Sequence, residues 1–208
     1  MTYFEMIYKA GPVMWVIIAA FLLAMVFFLE KVMQFHRDEI NAPELLRGLR
    51  NTLQRKAFVE ALSLCDNTPG PVAKLLGAAS LAFQNGEELR PAMDEVAVVE
   101  IPKLERHIQL IGTIGFVMPL LGFLGTVLGM TEAFEATRIS SGMIPELANA
   151  MGSALTTTAA GLTGAVICYL GHNYLVARLN VILLDMEKAA LEIGSFCEKQ
   201  RSWAEQSR

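Results

Sequence analysis

Twenty-four consecutive residues, Ile108 to Thr131, contain no Asp, Glu, Lys or Arg. As a helix rising about 1.5 Å per residue, such a run reaches roughly 36 Å. A hydrocarbon core of about 30 Å needs only about 20 apolar residues to cross it. The run is not uniform, because it holds Pro119, Gly122, Gly125, Thr126 and Gly129. The spacing Gly125-Thr-Val-Leu-Gly129 leaves two side-chain-free positions on one helix face, where another backbone can approach closely. The run therefore predicts a membrane span built to pack against other helices, with Gly125 and Gly129 as close-packing positions and Pro119 as a kink or packing position.

Two further runs are long enough to span. Ala10 to Leu29 is free of the four charged types, and so is Leu147 to Ala177, broken only by small and hydroxylated residues and His172. The third run exceeds what a bilayer needs, so its ends should project into water. With 53% hydrophobic residues and a positive mean hydropathy, the chain is too apolar for an ordinary soluble domain. The expected class is an all-α, polytopic membrane protein with three transmembrane helices.

Lys and Arg counts orient the spans. Residues 30–107 hold ten, and the tail from Arg178 holds five. By contrast, Lys9 stands alone before the first span and Arg138 alone between the second and third. The expected layout is an outside N-terminus and first span over 1–30, a cytoplasmic helical loop over 31–107 and the second span over 108–131. A short external segment follows over 132–147, then the third span over 148–177 and a cytoplasmic tail over 178–208. The first span reads as an anchor rather than a cleaved signal, since Glu30-Lys31 follows it in place of a small-residue cleavage site. Tyr3, Phe4, Tyr8 and Trp15 sit where interfacial aromatic anchors belong.

Within the loop, helices are expected from Ala42 through Leu53, from Lys56 to Cys65 and from Val72 to Phe83. Asn67-Thr-Pro-Gly-Pro71 and Asn85-Gly86 are the breakers. From Leu89 a helix should lead into the second span with a kink at Pro102. The tail carries Leu183, Leu184, Met186, Leu191 and Ile193 as an apolar face. Spans two and three are thus expected to continue as long cytoplasmic helices.

The residue types exclude several functions. There is no basic stripe for nucleic acid at a net charge of −4. No catalytic motif of the GxSxG, HExxH or phosphate-loop kind occurs, so an enzyme is not expected. His36, His107 and His172 lie in separate segments, and Cys65, Cys168 and Cys197 have no metal-ligand spacing; no metal or cofactor is implied. What remains is the polar content of the spans. Ser153, Thr156, Thr157 and Gly164 fall on one broad face of span three, with Thr158 at its margin. Such residues serve helix packing, where hydroxyls bond the carbonyls of the preceding turn, or an ion pathway; Thr126 has the same two uses. No span carries a carboxylate, Lys or Arg. If the chain conducts ions, the charged group must come from a partner.

Met118-Pro-Leu-Leu-Gly-Phe-Leu-Gly-Thr-Val-Leu-Gly-Met130, Ala133-Phe134, Pro145-Glu-Leu-Ala148 and Ala154-Leu-Thr-Thr-Thr-Ala-Ala-Gly-Leu162 together resemble the ExbB/TolQ/MotA ion-channel family, and the compact ExbB/TolQ branch most. The resemblance implies a homopentamer in the bacterial inner membrane, around two copies of a single-span ExbD/TolR-like subunit that carries an intramembrane Asp. Proton passage at that Asp, the family's usual coupling, would drive work on the cell envelope, for instance through a TonB-like protein. Thr126 and Thr158 resemble the family's pore threonines, Pro119 its span-two proline, and Gly161 lies in its span-three packing motif. Ser153 stands where ExbB and TolQ typically have Glu. A hydroxyl cannot relay a proton by titrating but can hold water or a cation, so with Thr156 and Thr157 it leaves sodium coupling open. The competing readings are a membrane scaffold that does not conduct, a sodium-driven stator, and a stand-alone transporter.

Overall fold

The computed structural model describes residues 11–38, 42–55, 57–139 and 144–206. Among the described residues six α-helices follow one another: α1 (Gly11–Asp38), α2 (Ala42–Gln54), α3 (Phe58–Asp66), α4 (Pro71–Asn85), α5 (Leu89–Ile139) and α6 (Ile144–Gln206). No strand occurs among the described residues. Among the described residues three helices are long and apolar enough to cross a membrane, over Gly11–Arg37, Leu89–Glu135 and Ala148–Gln200. At 51 and 63 residues, α5 and α6 far exceed a bilayer's thickness. Tyr3, Phe4 and Tyr8 lie outside the described residues, as do residues 140–143 of the expected external segment; Trp15 is exposed.

The chain forms two compact units, Met1–Glu30 with His107–Leu175, and Lys31–Arg106 with Val176–Arg208. In the first, Ile17 and Ala24 of α1, Met118 of α5, and Ala165 and Cys168 of α6 form the buried centre. Most remaining span side chains point outward, including Leu22, Phe116, Phe123, Leu155 and Leu170. That is the inverse of a water-soluble bundle and suits a lipid or helix surround.

In the second unit, Leu45, Leu46, Leu49 and Leu53 of α2 occur at i, i+1, i+4 and i+8, a stripe that all goes into the core. They meet Ala61 and Cys65 of α3, Leu75 and Leu76 of α4, Met93 of α5, and Met186, Ile193 and Phe196 of α6. Each such Leu, Ile or Met removes enough surface to contribute about 1.5–3 kcal/mol against the exposed chain. The breakers act where their chemistry requires. Gly70 (φ 111°) precedes Pro71, which occupies the first turn of α4 where an N–H is dispensable. Gly86 (φ 77°) closes α4 in the left-handed conformation and bonds the carbonyls of Ala82 and Phe83.

One expectation differs from the structure. The tail's apolar face is narrower than its leucines suggest: Met186, Ala189, Ile193 and Cys197 are buried at helical spacing, whereas Leu184 and Leu191 are exposed. The α-helix of α5 runs continuously through Pro102 and Pro119, so neither proline ends it. Each proline lacks an N–H for the carbonyl four residues earlier, yet the turns on either side hold the helix.

Candidate functional site: the seam between two spans

Within the first unit, α5 and α6 run antiparallel with backbones close together, and small residues on both sides permit it. A Cβ on Gly161 would lie 2.7 Å from the Met118 carbonyl oxygen and 3.0 Å from Gly122 Cα. Backbone meets backbone there, and no rotamer change could make room. One turn toward the 129 end of α5, a Cβ on Gly125 would collide with the Thr157 side chain, whose own Cβ would be 2.8 Å away. Two turns along, a Cβ on Gly129 would lie 2.8 Å from Ala154 Cβ. At the other end, Gly112 faces the His172 ring and Gly115 faces Cys168. Gly125 and Gly129 of the GxxxG spacing thus both face α6, and Gly161 faces α5.

The hydroxyls divide into two kinds. Thr158 Oγ1 donates across the seam to the Gly122 carbonyl at 2.9 Å. Gly122 has no side chain to hold Thr158 away, so this bond depends on the glycine. The others turn onto their own helix: Thr126 to Phe123 O (2.6 Å), Ser153 to Ala150 O (2.8 Å), Thr156 to Gly152 O (2.8 Å) and Thr157 to Ala154 O (2.7 Å). Thr157 is 1% exposed and enclosed within the chain against Gly125, whereas Thr126, Ser153 and Thr158 are half-buried. Each hydroxyl has spent its one hydrogen on a carbonyl. Its oxygen keeps lone pairs, so the exposed edge of this set can accept from water or coordinate a cation but offers no proton of its own. Pro119 is half-buried one residue beyond Met118, whose side chain is itself buried against Gly164 and Cys168, with Sδ 3.8 Å from Cys168 Sγ.

Charged groups collect at the end of the first unit, near the start of α5's apolar run. The Glu30 carboxylate is 3.2 Å from His107 Nδ1, near enough to pair with an imidazolium although off the line of a hydrogen bond. The His107 ring lies 5.1 Å from that of Phe27. In the second unit, Lys31 is 2% exposed, donates to Gln34 Oε1 (2.9 Å) and the Lys103 carbonyl (3.3 Å), and has its ammonium 5.9 Å from the Phe35 ring centre. Glu100 accepts from Lys74 of α4 at 3.0 Å and from Lys103 at 2.8 Å. Burial opposes the ionisation of Glu100, but the two lysines outweigh it and hold the carboxyl below its ordinary value. Burial, with the neighbouring Asp66, pushes the Cys65 thiol up to about 11. Such a thiol is poorly nucleophilic.

The sequence reading named Gly122 without its role as acceptor of the Thr158 bond, and missed the pairings Gly112–His172 and Gly115–Cys168. The signal was present: Gly112, Gly115, Gly122, Gly125 and Gly129 recur at three-, four- and seven-residue steps, one face of a helix.

These features define a multi-pass helical membrane protein organised around two spans in glycine-mediated contact. The chain belongs to the MotA/TolQ/ExbB proton channel family, whose pattern matches residues 47–188, more than half of its length. It is similar to an ExbB homolog of Methanothermobacter thermautotrophicus, 26% identical over 181 residues, covering 86% of this chain and 64% of that protein. The biopolymer transport protein ExbB of Neisseria gonorrhoeae is 28% identical over 163 residues, 71% of this chain and 73% of that one. The Tol-Pal system protein TolQ of Haemophilus influenzae is 33% identical over 102 residues, 49% and 45% of the two chains. The chain thus spans less than two thirds of the Methanothermobacter relative and under half of TolQ.

Proposed function

We propose that this chain is the pore-forming subunit of an ion-driven motor in the bacterial inner membrane, with its N-terminus outside and its C-terminus in the cytoplasm. Five copies would surround two copies of a single-span ExbD/TolR-like protein whose intramembrane Asp supplies the charge absent here. The output would be work on the cell envelope, such as outer-membrane transport through a TonB-like protein. The observation that carries this reading is a tightly packed span pair rich in hydroxyls and empty of Asp, Glu, Lys and Arg. Hydroxyl oxygens whose hydrogens are committed favour a cation over an anion. They do not titrate, so proton movement needs the partner's carboxyl.

The test is native mass spectrometry of the solubilised chain co-expressed with its candidate single-span partner, followed by flux measurements under proton and sodium gradients. Five copies with two partners, and flux that collapses on Asp→Asn substitution in the partner, are expected. A monomer or dimer that never takes up the partner would favour a non-conducting scaffold.

A further inference from the structure

We propose that the open groove between α5 and α6 in the second unit is a docking site for a basic amphipathic helix, the Lys- and Arg-bearing cytoplasmic flank of a single-span membrane partner. The groove has a volume of about 850 Å³ and lies along α5 from Glu88 to Ile101 and along α6 from Leu183 to Glu198. Thirteen helical steps make it about 20 Å long, room for three to four turns of a docked helix. Its floor is apolar, with Leu75, Met93 and Met186 buried beneath half-buried Ala97, Ile101 and Ala190. Methionines at such a floor adapt to whatever side chains an incoming helix offers. The rim is acidic: Glu88, Asp94, Glu187 and Glu198 border the groove, and Arg90 is the one cation among its lining residues.

Two further features fit an external helix. Leu191, on the groove's edge, is 65% exposed, more than Leu81 or Leu184 of the same unit. Gly194, in the interior of α6, also lines the groove, and a Cβ placed on it would meet nothing within 4 Å. A glycine there weakens the helix, and no contact among the described residues requires it. Four residues from Ala190, it leaves a small-residue floor on which a second backbone can rest. An apolar floor inside an acidic rim is complementary to a helix with apolar residues at i, i+3, i+4 and i+7 between basic ones. A single-span protein of inside N-terminus carries such basic residues beside its span. This rests on the reading of the chain as a partner-binding subunit, and it adds a second, water-exposed point of attachment outside the bilayer.

The experiment uses the full chain co-expressed with its single-span partner, with photoreactive p-benzoylphenylalanine in place of Leu191. Irradiation should cross-link the chain to the partner's cytoplasmic flank, mapped by peptide mass spectrometry. Asp94→Lys together with Glu187→Lys should cut the yield about tenfold, and reversing basic residues in the partner's flank should restore it. A cross-link to a second copy of the chain, a yield indifferent to the charge reversal, or a complex that forms without any cross-link would each overturn the groove assignment alone. Failure of the two proteins to co-purify would instead overturn the partner reading itself, and this proposal with it.

Discussion

At the scale of single residues, the seam separates glycines required by space from glycines that are not. A Cβ on Gly161 would meet backbone atoms at 2.7–3.1 Å, so Gly161→Val must push α5 and α6 apart. Overpacking of this kind costs about 1–3 kcal/mol. Gly152 has nothing within 4 Å of its missing Cβ. Gly152→Ala should therefore be neutral or stabilising, by up to about 1 kcal/mol from helix propensity. Thermal melting of the detergent-solubilised protein should rank the variants in that order, and equal effects would remove the seam as the reason for Gly161. The threonines sort in the same way. Thr158→Val deletes the hydroxyl that crosses to Gly122 and leaves the carbonyl without that donor. A loss of about 1 kcal/mol is expected, in line with interhelical hydrogen bonds in membranes. Thr158→Ser keeps the hydroxyl and should retain both stability and flux, whereas Thr158→Val should lose flux while the assembly persists. Flux in Thr158→Val equal to wild type would count against a pore role for this residue.

At the scale of elements, Glu100 ties α4 to α5 through Lys74 and braces its own helix through Lys103. Its folded-state carboxyl titrates below the ordinary value of 4.5, because the lysines favour the charged form more than burial opposes it. A depressed carboxyl contributes stability that is fully present above the unfolded value and is lost as pH falls through the folded one. Both lysines are more than half exposed, so solvent limits the contribution to about 0–1 kcal/mol. Glu100→Gln should lower the melting temperature slightly at pH 7, and the difference should vanish once acid has protonated the wild-type carboxyl. A gap that widens below pH 4.5 would contradict this assignment. The elements themselves were largely legible in the sequence. Charge-free runs marked the apolar helices, and Gly86, Pro71 and the α2 leucines marked ends and faces because each acts through local geometry. What was not legible depends on partners distant in the chain. Nothing local distinguishes Thr158, which bonds across the seam, from Thr157, which bonds its own helix and is enclosed against Gly125. Likewise Leu191 reads as core by composition, and only the register of α6 against α2 and α4 turns it outward.

At the scale of the whole molecule, the spans hold oxygen ligands and small residues without a single Asp, Glu, Lys or Arg. A hydroxyl array can guide water or a cation but cannot take up and release a proton near neutral pH. The purified chain alone in liposomes should therefore give no more proton flux than protein-free vesicles, and co-reconstitution with an Asp-bearing partner should restore it. Ser153 allows a sharper test, since it is half-buried with its hydroxyl turned onto the Ala150 carbonyl. Ser153→Glu would add a titratable group on the same helix as Thr156, Thr157 and Thr158. If the wild-type complex moves sodium through oxygen ligands, this variant should shift the ratio of proton to sodium flux toward protons, because a carboxyl can relay what a hydroxyl only solvates. If the wild-type complex already moves protons through the partner's Asp, the variant should leave the ion unchanged and alter only the pH at which flux is half-maximal. Proton flux through the chain alone would be incompatible with both outcomes, and it would require a titrating group in the spans themselves, where His172, packed against Gly112, is the nearest candidate.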